Sequence, residues 1–355
     1  MSKYTRIAIT TAAVLATSVF LSGCGLFGKD KEALDPPPKQ NVSHLDENED
    51  LDSLTDTETS GEEQVEAVMT DLYLIDKNGL VVGQSLPLPK TNSVAKQALE
   101  YLVADGKISD ILPNGFRTVL PAGTNVDVDI QDGKAIVDFS EEFKNYQASD
   151  EQKILQAVTW TLTQFDTVNS VELRVNGYPL TEMPVGGTPI SEDGLTRADG
   201  INTGIADVVD VTNTRPLTVY YLAQGLDNYY YVPVTTRVSN LEEDNIKAVI
   251  DQLVEGPTLE ASLMTVLDGD ALLLDDPTIK DGVVTLNFNE EILGNSETKE
   301  ISTETLQSLV LSLTEQPGIE SVAVMVNGDG GLVNEDGEEL TEPVTRPEKV
   351  NTGSF

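Results

Sequence analysis

The sequence predicts an α/β chain of the two-layer α+β type, made of two tandem copies of a small domain with two helices packed on one face of a mainly antiparallel sheet. Three observations lead to this prediction. The segment DGKAIVDFSEEF at 132–143 returns as DGVVTLNFNEEI at 281–292, with five of twelve positions identical. SVELRVNG at 170–177 returns as SVAVMVNG at 321–328, with five of eight identical. In each copy, segments of alternating apolar and polar residues are interleaved with segments of helical spacing.

The distance between the copies is nearly constant, which indicates that one unit was duplicated whole. Asp132 and Asp281 lie 149 residues apart, and Ser170 and Ser321 lie 151 apart. A unit of about 120 to 130 residues has the size of a domain and is much longer than a solenoid repeat. We therefore assign a first domain, a linker, a second domain and a tail to residues 69–186, 187–214, 215–345 and 346–355.

Each copy is predicted to open with strands and to return to strands after its first helix. The opening strands lie near residues 71–75 and 218–222. At residues 284–288, valine, leucine and phenylalanine alternate with threonine and asparagine, the period of a half-buried strand. Asn-Gly at 176–177 and at 327–328 closes the last strand of each copy with a sharp-turn signal.

Apolar residues at helical spacing predict two helices in each copy, with one buried face per helix. In the second copy, Ser239 and Asn240 precede two glutamates, a pattern that predicts the start of a helix. The four apolar stripes are Val94, Ala98, Leu99 and Leu102; Ile154, Val158, Leu162 and Phe165; Ile246, Val249, Ile250 and Leu253; and Leu306, Leu309, Val310 and Leu313.

The N-terminal segment is predicted to be a processing signal followed by a lipid anchor. Two basic residues precede a mostly apolar run at 7–21, which is too short for a comfortable membrane span. The run ends in Leu-Ser-Gly-Cys at 21–24, which resembles a bacterial lipobox. The resemblance implies that residues 1–23 are removed and that Cys24 carries a diacylglyceryl group. An uncleaved anchor with an incidental cysteine is the alternative.

Residues 24–68 are predicted to form an acidic, disordered tether behind this lipid anchor. From Gly25 to Val68 the chain carries thirteen acidic and three basic residues, together with three consecutive prolines. Such a composition buries too little apolar surface to offset the entropy lost on ordering. The only histidine of the chain, His44, lies in this segment, where we expect it to be solvated.

Composition excludes several classes of function. The chain has 60 acidic and 22 basic residues and a net charge of −38, so nucleic acid is not expected as a partner. Neither cysteine nor histidine occurs after residue 68. The domains therefore lack the side chains of Ser-His-Asp sites, Cys-His sites and histidine-ligated zinc. No phosphate-binding or dinucleotide-binding glycine motif is present. We expect no enzyme activity, no cofactor and no metal site.

Neighbouring carboxylates recur in both copies as Glu141-Glu142 and Glu290-Glu291. Paired acids act in glycosidases, so a peptidoglycan-acting enzyme or regulator is the alternative function. Adjacent residues seldom converge on one bond, however, and acids between a strand and a helix also stabilise a helix N-terminus. A further acidic stretch at 127–133 superficially resembles a calcium loop, but its glycine falls one place late and its alternation favours a strand.

Five tyrosines cluster at the start of the second copy, at positions 220, 221, 229, 230 and 231. One interpretation is packing between paired strands. The other is an exposed patch for protein or glycan contact, with Tyr229, Tyr230 and Tyr231 as the candidate residues. The first copy has no such cluster, so any contact that the tyrosine cluster makes should be specific to the second copy.

The lipobox, the acidic tether, two such units and the paired Asp-Gly and Ser-Val-x3-Val-Asn-Gly signatures together resemble the tandem GerMN-type sporulation and spore-germination lipoproteins. The resemblance covers residues 67–347 and the anchor. It implies domains similar to ring-building motifs, acylation of Cys24, and no catalytic residue to transfer.

The same resemblance implies a function and a location. The function is that of a membrane-anchored, non-catalytic scaffold that supports a multiprotein envelope complex in sporulation and later germination. Its partners would be other sporulation envelope proteins, next to peptidoglycan. The location would be the extracytoplasmic face of the membrane, in a sporulating cell the mother-cell membrane facing the intermembrane space. A solute-binding lipoprotein is a third interpretation, which the contiguity of each copy disfavours.

Overall fold

The computed structural model has the predicted α+β architecture, with nearly the same order of strands and helices in both copies. It describes residues 66–203, 213–225, 228–241, 244–257, 262–267 and 269–352. The signal segment, Cys24 and the tether up to residue 65 lie outside these ranges. The described residues belong to one unit, Glu62–Phe355. Within them, no helix has both the length and the apolar character needed to cross a membrane.

Both copies begin with a long hairpin, and in each the hairpin starts inside a segment predicted to be a connection. The first copy consists of β1 (Ala67–Asp76), β2 (Val81–Pro89), α1 (Val94–Glu100), β3 (Phe116–Arg117), β4 (Val126–Gln131), β5 (Lys134–Phe139), α2 (Glu151–Leu162), β6 (Ser170–Val175) and β7 (Tyr178–Pro179). The second consists of β8 (Thr214–Gln224), β9 (Tyr229–Ser239), α3 (Asn245–Glu255), β10 (Thr278–Lys280), β11 (Val283–Phe288), α4 (Thr303–Thr314), β12 (Ser321–Val326) and β13 (Val344–Thr345).

The strands of each copy divide between two sheets, where one sheet was predicted. The orders are β2-β1-β3 and β4-β5-β6-β7 in the first copy, and β8-β9 and β10-β11-β12-β13 in the second. All pairs are antiparallel except β5–β6 and β11–β12, which are parallel because a helix connects their strands. In each copy a helix side chain binds the backbone of the opening hairpin: Tyr73 N donates to Thr161 Oγ1 of α2, and Tyr220 N donates to Ser312 Oγ of α4.

The second helix of each copy is buried on almost every side, whereas one buried face was predicted. In α2 every residue from Ile154 to Leu162 is buried, and in α4 the same holds for six consecutive residues from Ser308 to Leu313. The reason is that α2 packs against the hairpin strands β1 and β2 and also against β6 of the four-stranded sheet. A helix in contact with two layers keeps little solvent-facing surface.

The repeated Asp-Gly dipeptides form the turns between β4 and β5 and between β10 and β11. Asp132 and Gly133 have φ values of 49° and 80°, and Asp281 and Gly282 have values of 51° and 80°. Positive φ at both central residues is the type I′ hairpin geometry, which Asp-Gly adopts readily. The acidic stretch at 127–133 is therefore a strand followed by a hairpin turn, as its alternation predicted.

Two details of the first helices differ from the prediction. Helix α3 begins at Asn245, and its N-cap is Asp244, whose side chain accepts from the amides of Ile246 and Lys247. The predicted caps, Ser239 and Asn240, are not caps because β9 pairs with β8 as far as Ser239. In α1, Val94 is 42% exposed and Ala95 is buried in its place, while the rest of the predicted stripe is buried.

Candidate functional site at the junction of the two copies

The two copies meet where β2 contacts β9, although these strands belong to different sheets. Two chain segments hold the two copies together by non-covalent contacts. We call residues 195–202 the first arm and residues 344–351 the second arm. Each arm starts on the sheet of its own copy: Leu195 bridges Val171 of β6, and Val344 pairs with Val322 of β12. Each arm then crosses to the other copy.

The arms are a third repeat, which was not predicted. TRADGINTG at 196–204 returns as TRPEKVNTG at 345–353, with five of nine positions identical and an offset of 149. This offset is that of the Asp-Gly segments, so a search at a fixed offset finds it. Residues of the predicted linker and tail take part in this junction, since Ile201 is fully buried and the second arm is hydrogen-bonded to the first copy.

An asparagine near the end of the first arm connects β2 to β9. The Asn202 side-chain oxygen accepts from Val81 N, and its amide nitrogen donates to Val81 O and to Pro233 O, each at 2.8 Å. The first two bonds lie within the first copy, and the third reaches the second copy. Asn202 is buried and has a φ of 50°, a left-handed conformation that asparagine adopts more readily than most residues.

Asn351 of the second arm repeats this pattern in the opposite direction. Its side-chain oxygen accepts from Tyr231 N at 2.7 Å, and its amide nitrogen donates to Tyr231 O and to Gly83 O at 2.8 Å. The strand positions match, since Val81 and Tyr231 lie 150 residues apart, as do Gly83 and Pro233. Asn351 also has a positive φ, 57°.

The residue before each asparagine pairs with the opposite copy by two hydrogen bonds. Ile201 N donates to Thr235 Oγ1 at 2.9 Å, and Thr235 N donates to Ile201 O at 2.8 Å. Val350 N donates to Ser85 Oγ at 2.8 Å, and Ser85 N donates to Val350 O at 3.1 Å. These reciprocal contacts are those of an isologous dimer, so the junction has pseudo-twofold symmetry.

The arginine near the start of each arm binds one glutamate at the end of α4. Arg197 Nη1 lies 2.9 Å from both carboxylate oxygens of Glu315, and Arg346 Nη2 lies 2.9 Å from its Oε1. The Tyr220 hydroxyl donates to the same oxygen at 2.8 Å. The guanidinium groups also lie over aromatic rings, Arg197 at 4.3 Å from the Trp160 centroid and Arg346 at 5.3 Å from that of Tyr220.

Electrostatics at Glu315 favour its charged form. Burial alone raises the pKa of this carboxyl, but the positive charges of Arg197 and Arg346 and the hydrogen bond from Tyr220 outweigh burial and lower the pKa below its ordinary value. The Glu315 side chain is only 10% exposed, and it pairs with an arginine from each arm. One carboxylate therefore holds both arms.

The symmetry is broken at this position, because Gln164 occupies the place of Glu315 in the first copy. Its side chain binds the backbone of β1 instead: Oε1 accepts from Asp71 N at 2.9 Å, and Nε2 donates to Asp71 O at 2.7 Å. The Asp71 carboxyl accepts from Ser85 Oγ, and burial raises its pKa in spite of that bond and of both arginines. Of these two acids, only Glu315 has a lowered pKa.

The tyrosine prediction requires correction for Tyr230. Tyr229 is 49% exposed and Tyr231 is half-buried, but Tyr230 is only 2% exposed. The Tyr230 ring packs edge-on against Phe116 at 5.4 Å, and its hydroxyl donates to Asp76 Oδ2 at 2.7 Å, so the side chain enters the first copy. The three residues do not share one exposed patch, because alternate residues of β9 face opposite sides of the hairpin.

The predicted carboxylate pairs lie on short 3-10 helices, and all four side chains are exposed. Glu141 binds Lys144 Nζ at 2.8 Å and accepts from Asn176 Nδ2 at 3.0 Å. A hydrogen bond from Ser140 lowers the pKa of Glu142, the opposite of the raised pKa of a general acid. In the part of the chain that the structure describes, no group of three or more acids, histidines or cysteines is arranged to hold a metal ion.

Another buried carboxylate, that of Glu151, binds the loop that leads to the first arm. Its oxygens accept from the Tyr146 hydroxyl, from the amides of Val185 and Gly186, and from the amide and hydroxyl of Thr188, at 2.5–3.1 Å. Burial raises the pKa of Glu151, but these hydrogen bonds outweigh it and lower the pKa to about 2. Glu151 was not a predicted site residue, since a glutamate at a helix start has no distinctive sequence signal.

Comparison with known proteins agrees with this architecture. The family described as "Germane: Sporulation and spore germination" matches residues 71–181 and 218–330, so both arms lie beyond the matched ranges. The spore germination protein GerM of Bacillus subtilis is 56% identical over 361 aligned positions, which cover 98% of each chain.

Two solved structures from Bacillus subtilis are also similar. The tandem GerMN domains of the sporulation protein GerM are 60% identical, cover 81% of this chain and 100% of that chain, and have a TM-score of 0.77. The first GerMN domain of GerM is 69% identical over 37% of this chain and 98% of that chain, with a TM-score of 0.36. These relatives are described as sporulation or germination proteins and not as enzymes. The chain belongs to the GerMN-containing family of sporulation and spore germination proteins, and its role lies in sporulation and germination.

Proposed function

We propose that this protein is a membrane-anchored, non-catalytic scaffold that supports a multiprotein envelope complex in sporulation and later in spore germination. One observation carries the proposal. The ionised side chains at the junction, Arg197, Glu315 and Arg346, bind one another and join the two copies, and the Glu315 carboxylate between the two arginines is only 10% exposed. A body that presents two related domains in a fixed arrangement suits the assembly of neighbouring proteins.

The exposed positions of the recurring glutamates also support a role without catalysis. A glycosidase needs one acid kept protonated and a second one kept charged across a cleft that holds the substrate. Glu141 is paired with Lys144 at the surface, and the pKa of Glu142 is lowered. The proposed partners are other sporulation envelope proteins, in a compartment next to peptidoglycan.

The proposed location is the extracytoplasmic face of the membrane, with attachment through a diacylglyceryl group on Cys24. Support comes from the Leu-Ser-Gly-Cys motif that follows an apolar run. A net charge of −38 disfavours adsorption to anionic lipid, so the acyl chains would supply the attachment. Two acyl chains are sufficient for stable anchoring, whereas one is marginal.

Replacing Cys24 with serine is expected to release the protein from the membrane, because a serine hydroxyl cannot take the thioether-linked lipid. The measurement is fractionation of sporulating Bacillus subtilis cells that lack GerM and express this chain, followed by a count of heat-resistant spores. The variant should leave the membrane fraction and should restore fewer spores than the unaltered chain.

The matched control is His44→Ser, a substitution in the tether that leaves the anchor intact. It should fractionate with membranes and restore spores. Retention in the membrane fraction of a Cys24→Ser protein from which residues 1–23 have been removed would refute the lipid anchor. Full spore yield from a released protein would refute the requirement for anchoring.

A further inference from the structure

We propose that the second strand of each hairpin is a docking site for an arm of sequence Thr-Arg-x3-Ile/Val-Asn, and that the partner which the site fits is a second domain of the same type carrying such an arm. The segment that covalently connects the two copies, which includes residues 204–212, is then not required for their association. This inference concerns the domains alone and does not depend on Cys24 or on the proposed scaffold function.

The first argument is the reciprocity of the contacts. The second arm crosses to β2 and binds Ser85 and Gly83, while the first arm crosses to β9 and binds Thr235 and Pro233. Self-complementary contacts of this kind are those that two separate copies form in an isologous dimer. All of these contacts come from residues outside 204–212.

The second argument is the chemistry of recognition. Each asparagine side chain binds the backbone N–H and C=O of one strand residue, together with a carbonyl oxygen of the other copy. The recognition therefore depends on backbone atoms and not on the side chains of the strand. This explains why Val81 in one copy can correspond to Tyr231 in the other. It also explains why a proline is accepted at 233, since only its carbonyl oxygen is used and proline lacks an amide hydrogen.

The third argument concerns the side chains that flank the asparagine. Ile201 is fully buried, and Val350 stands at the same place of the second arm with two hydrogen bonds to Ser85. The arginine at the start of each arm adds a charged contact to Glu315. An arm therefore contributes three separate anchors, namely an arginine, a β-branched apolar residue and an asparagine.

The test is to cut the full chain between the copies. A protease recognition site is inserted within 204–212, the chain is cleaved, and the product is analysed by size-exclusion chromatography with light scattering at micromolar concentration. The two halves should elute together with the mass of the intact chain. Elution as two separate halves would overturn the proposal.

The role of the arms is tested in the same cut chain with Asn202→Ala and Asn351→Ala together. The halves should now separate, while the circular dichroism of the uncut variant stays that of the unaltered chain. The matched control is Asn145→Ala with Asn228→Ala, two exposed asparagines away from the arms, and its halves should stay together. Halves that remain together in the arm variant would overturn the assignment of the arms as the recognition element.

If the arm variant does not fold, hydrogen exchange of the unaltered chain answers the question. The amides of Thr235 and Ser85 donate to the carbonyl oxygens of Ile201 and Val350 in the opposite half, so their exchange reports whether each arm is docked on the other copy. Their exchange should be as slow in the cut chain as in the uncut chain. Fast exchange at both amides after cleavage would contradict docking without a covalent connection.

Discussion

Replacing Glu315 with alanine is expected to lower the free energy of unfolding by about 1.5 to 3 kcal/mol, the usual contribution of hydrogen bonds to charged groups, because its partners Arg197 and Arg346 are each about a third exposed. Arg197 and Arg346 would remain at the junction without a strong acid between them. The Tyr220 hydroxyl would lose its acceptor as well. The measurement is urea unfolding at pH 7, followed by circular dichroism.

The control is Glu291→Ala, which removes an exposed glutamate of the same copy and should change the free energy of unfolding by less than about 0.5 kcal/mol. Glu315→Gln introduces the residue found at 164 in the first copy, so it should lower the free energy of unfolding less than Glu315→Ala does. A loss below about 1 kcal/mol for Glu315→Ala would show that the cluster does not hold the copies together.

The same carboxyl predicts a dependence on pH with a definite sign. The pKa of Glu315 in the folded protein lies below its ordinary value of 4.5, so the unfolded chain binds the proton more readily. The contribution of Glu315 is therefore complete above pH 4.5 and is lost as the pH falls through the folded-state pKa. The difference in stability between the unaltered chain and Glu315→Ala should narrow on acidification. A difference that grows below pH 4.5 would contradict the assignment.

Replacing Trp160 with alanine is expected to lower the free energy of unfolding by about 3 to 5 kcal/mol, the range for truncating a large buried aromatic residue. Trp160 has no exposed surface and lies against the Tyr73 ring at 5.6 Å between centroids, and Arg197 covers it. The substitution would leave a cavity in α2 and remove the ring on which the first arm rests. Thermal unfolding followed by circular dichroism measures the loss.

Two variants make the Trp160 result specific. Tyr178→Ala removes an aromatic side chain that is 76% exposed, and it should leave the melting temperature nearly unchanged. Trp160→Leu introduces the residue found at the matching position of the second copy, Leu311, and should cost less than alanine because less volume is lost. Equal melting temperatures for Trp160→Ala and Tyr178→Ala would contradict the packing described at the junction.

Local sequence signals were sufficient for the elements themselves. Alternation at 284–288 predicts β11, and the turn predicted from Asn-Gly at 176–177 and 327–328 follows β6 and β12, with positive φ at both residues. These features depend on a few neighbouring residues, so periodicity and turn chemistry detect them. The predicted start of α3 was wrong because β9 continues to Ser239. Pairing of this strand with β8 overrides the local capping pattern.

Burial on a second side was not visible in the sequence. The stripe of α2 predicts one apolar face, yet Thr161 on another face is also fully buried, where its hydroxyl accepts from Tyr73 N. In α4, Ser312 has the same role for Tyr220. A polar residue that is buried because it binds a strand looks like a solvent-facing residue in a periodicity analysis.

The junction was missed because its residues resemble those of a connection. Asn202 lies in a segment rich in glycine, aspartate and threonine, a composition typical of loops. Its bonds go to backbone atoms of β2 and β9, and backbone recognition leaves no pattern in the partner strands. The repeated Thr-Arg-x3-Ile/Val-Asn sequence was the available signal, and it becomes informative once the offset between the copies is applied to the whole chain.

The most direct measurement of the central claim, that the two copies act as one joined body, is spore formation by a chain whose junction is opened. Bacillus subtilis cells that lack GerM would express the full chain with Asn202→Ala and Asn351→Ala, or with the control pair Asn145→Ala and Asn228→Ala. We expect the control to restore heat-resistant spores, and the arm variant to restore far fewer at equal abundance in the membrane fraction. Full restoration by an arm variant whose halves separate after cleavage would contradict the claim.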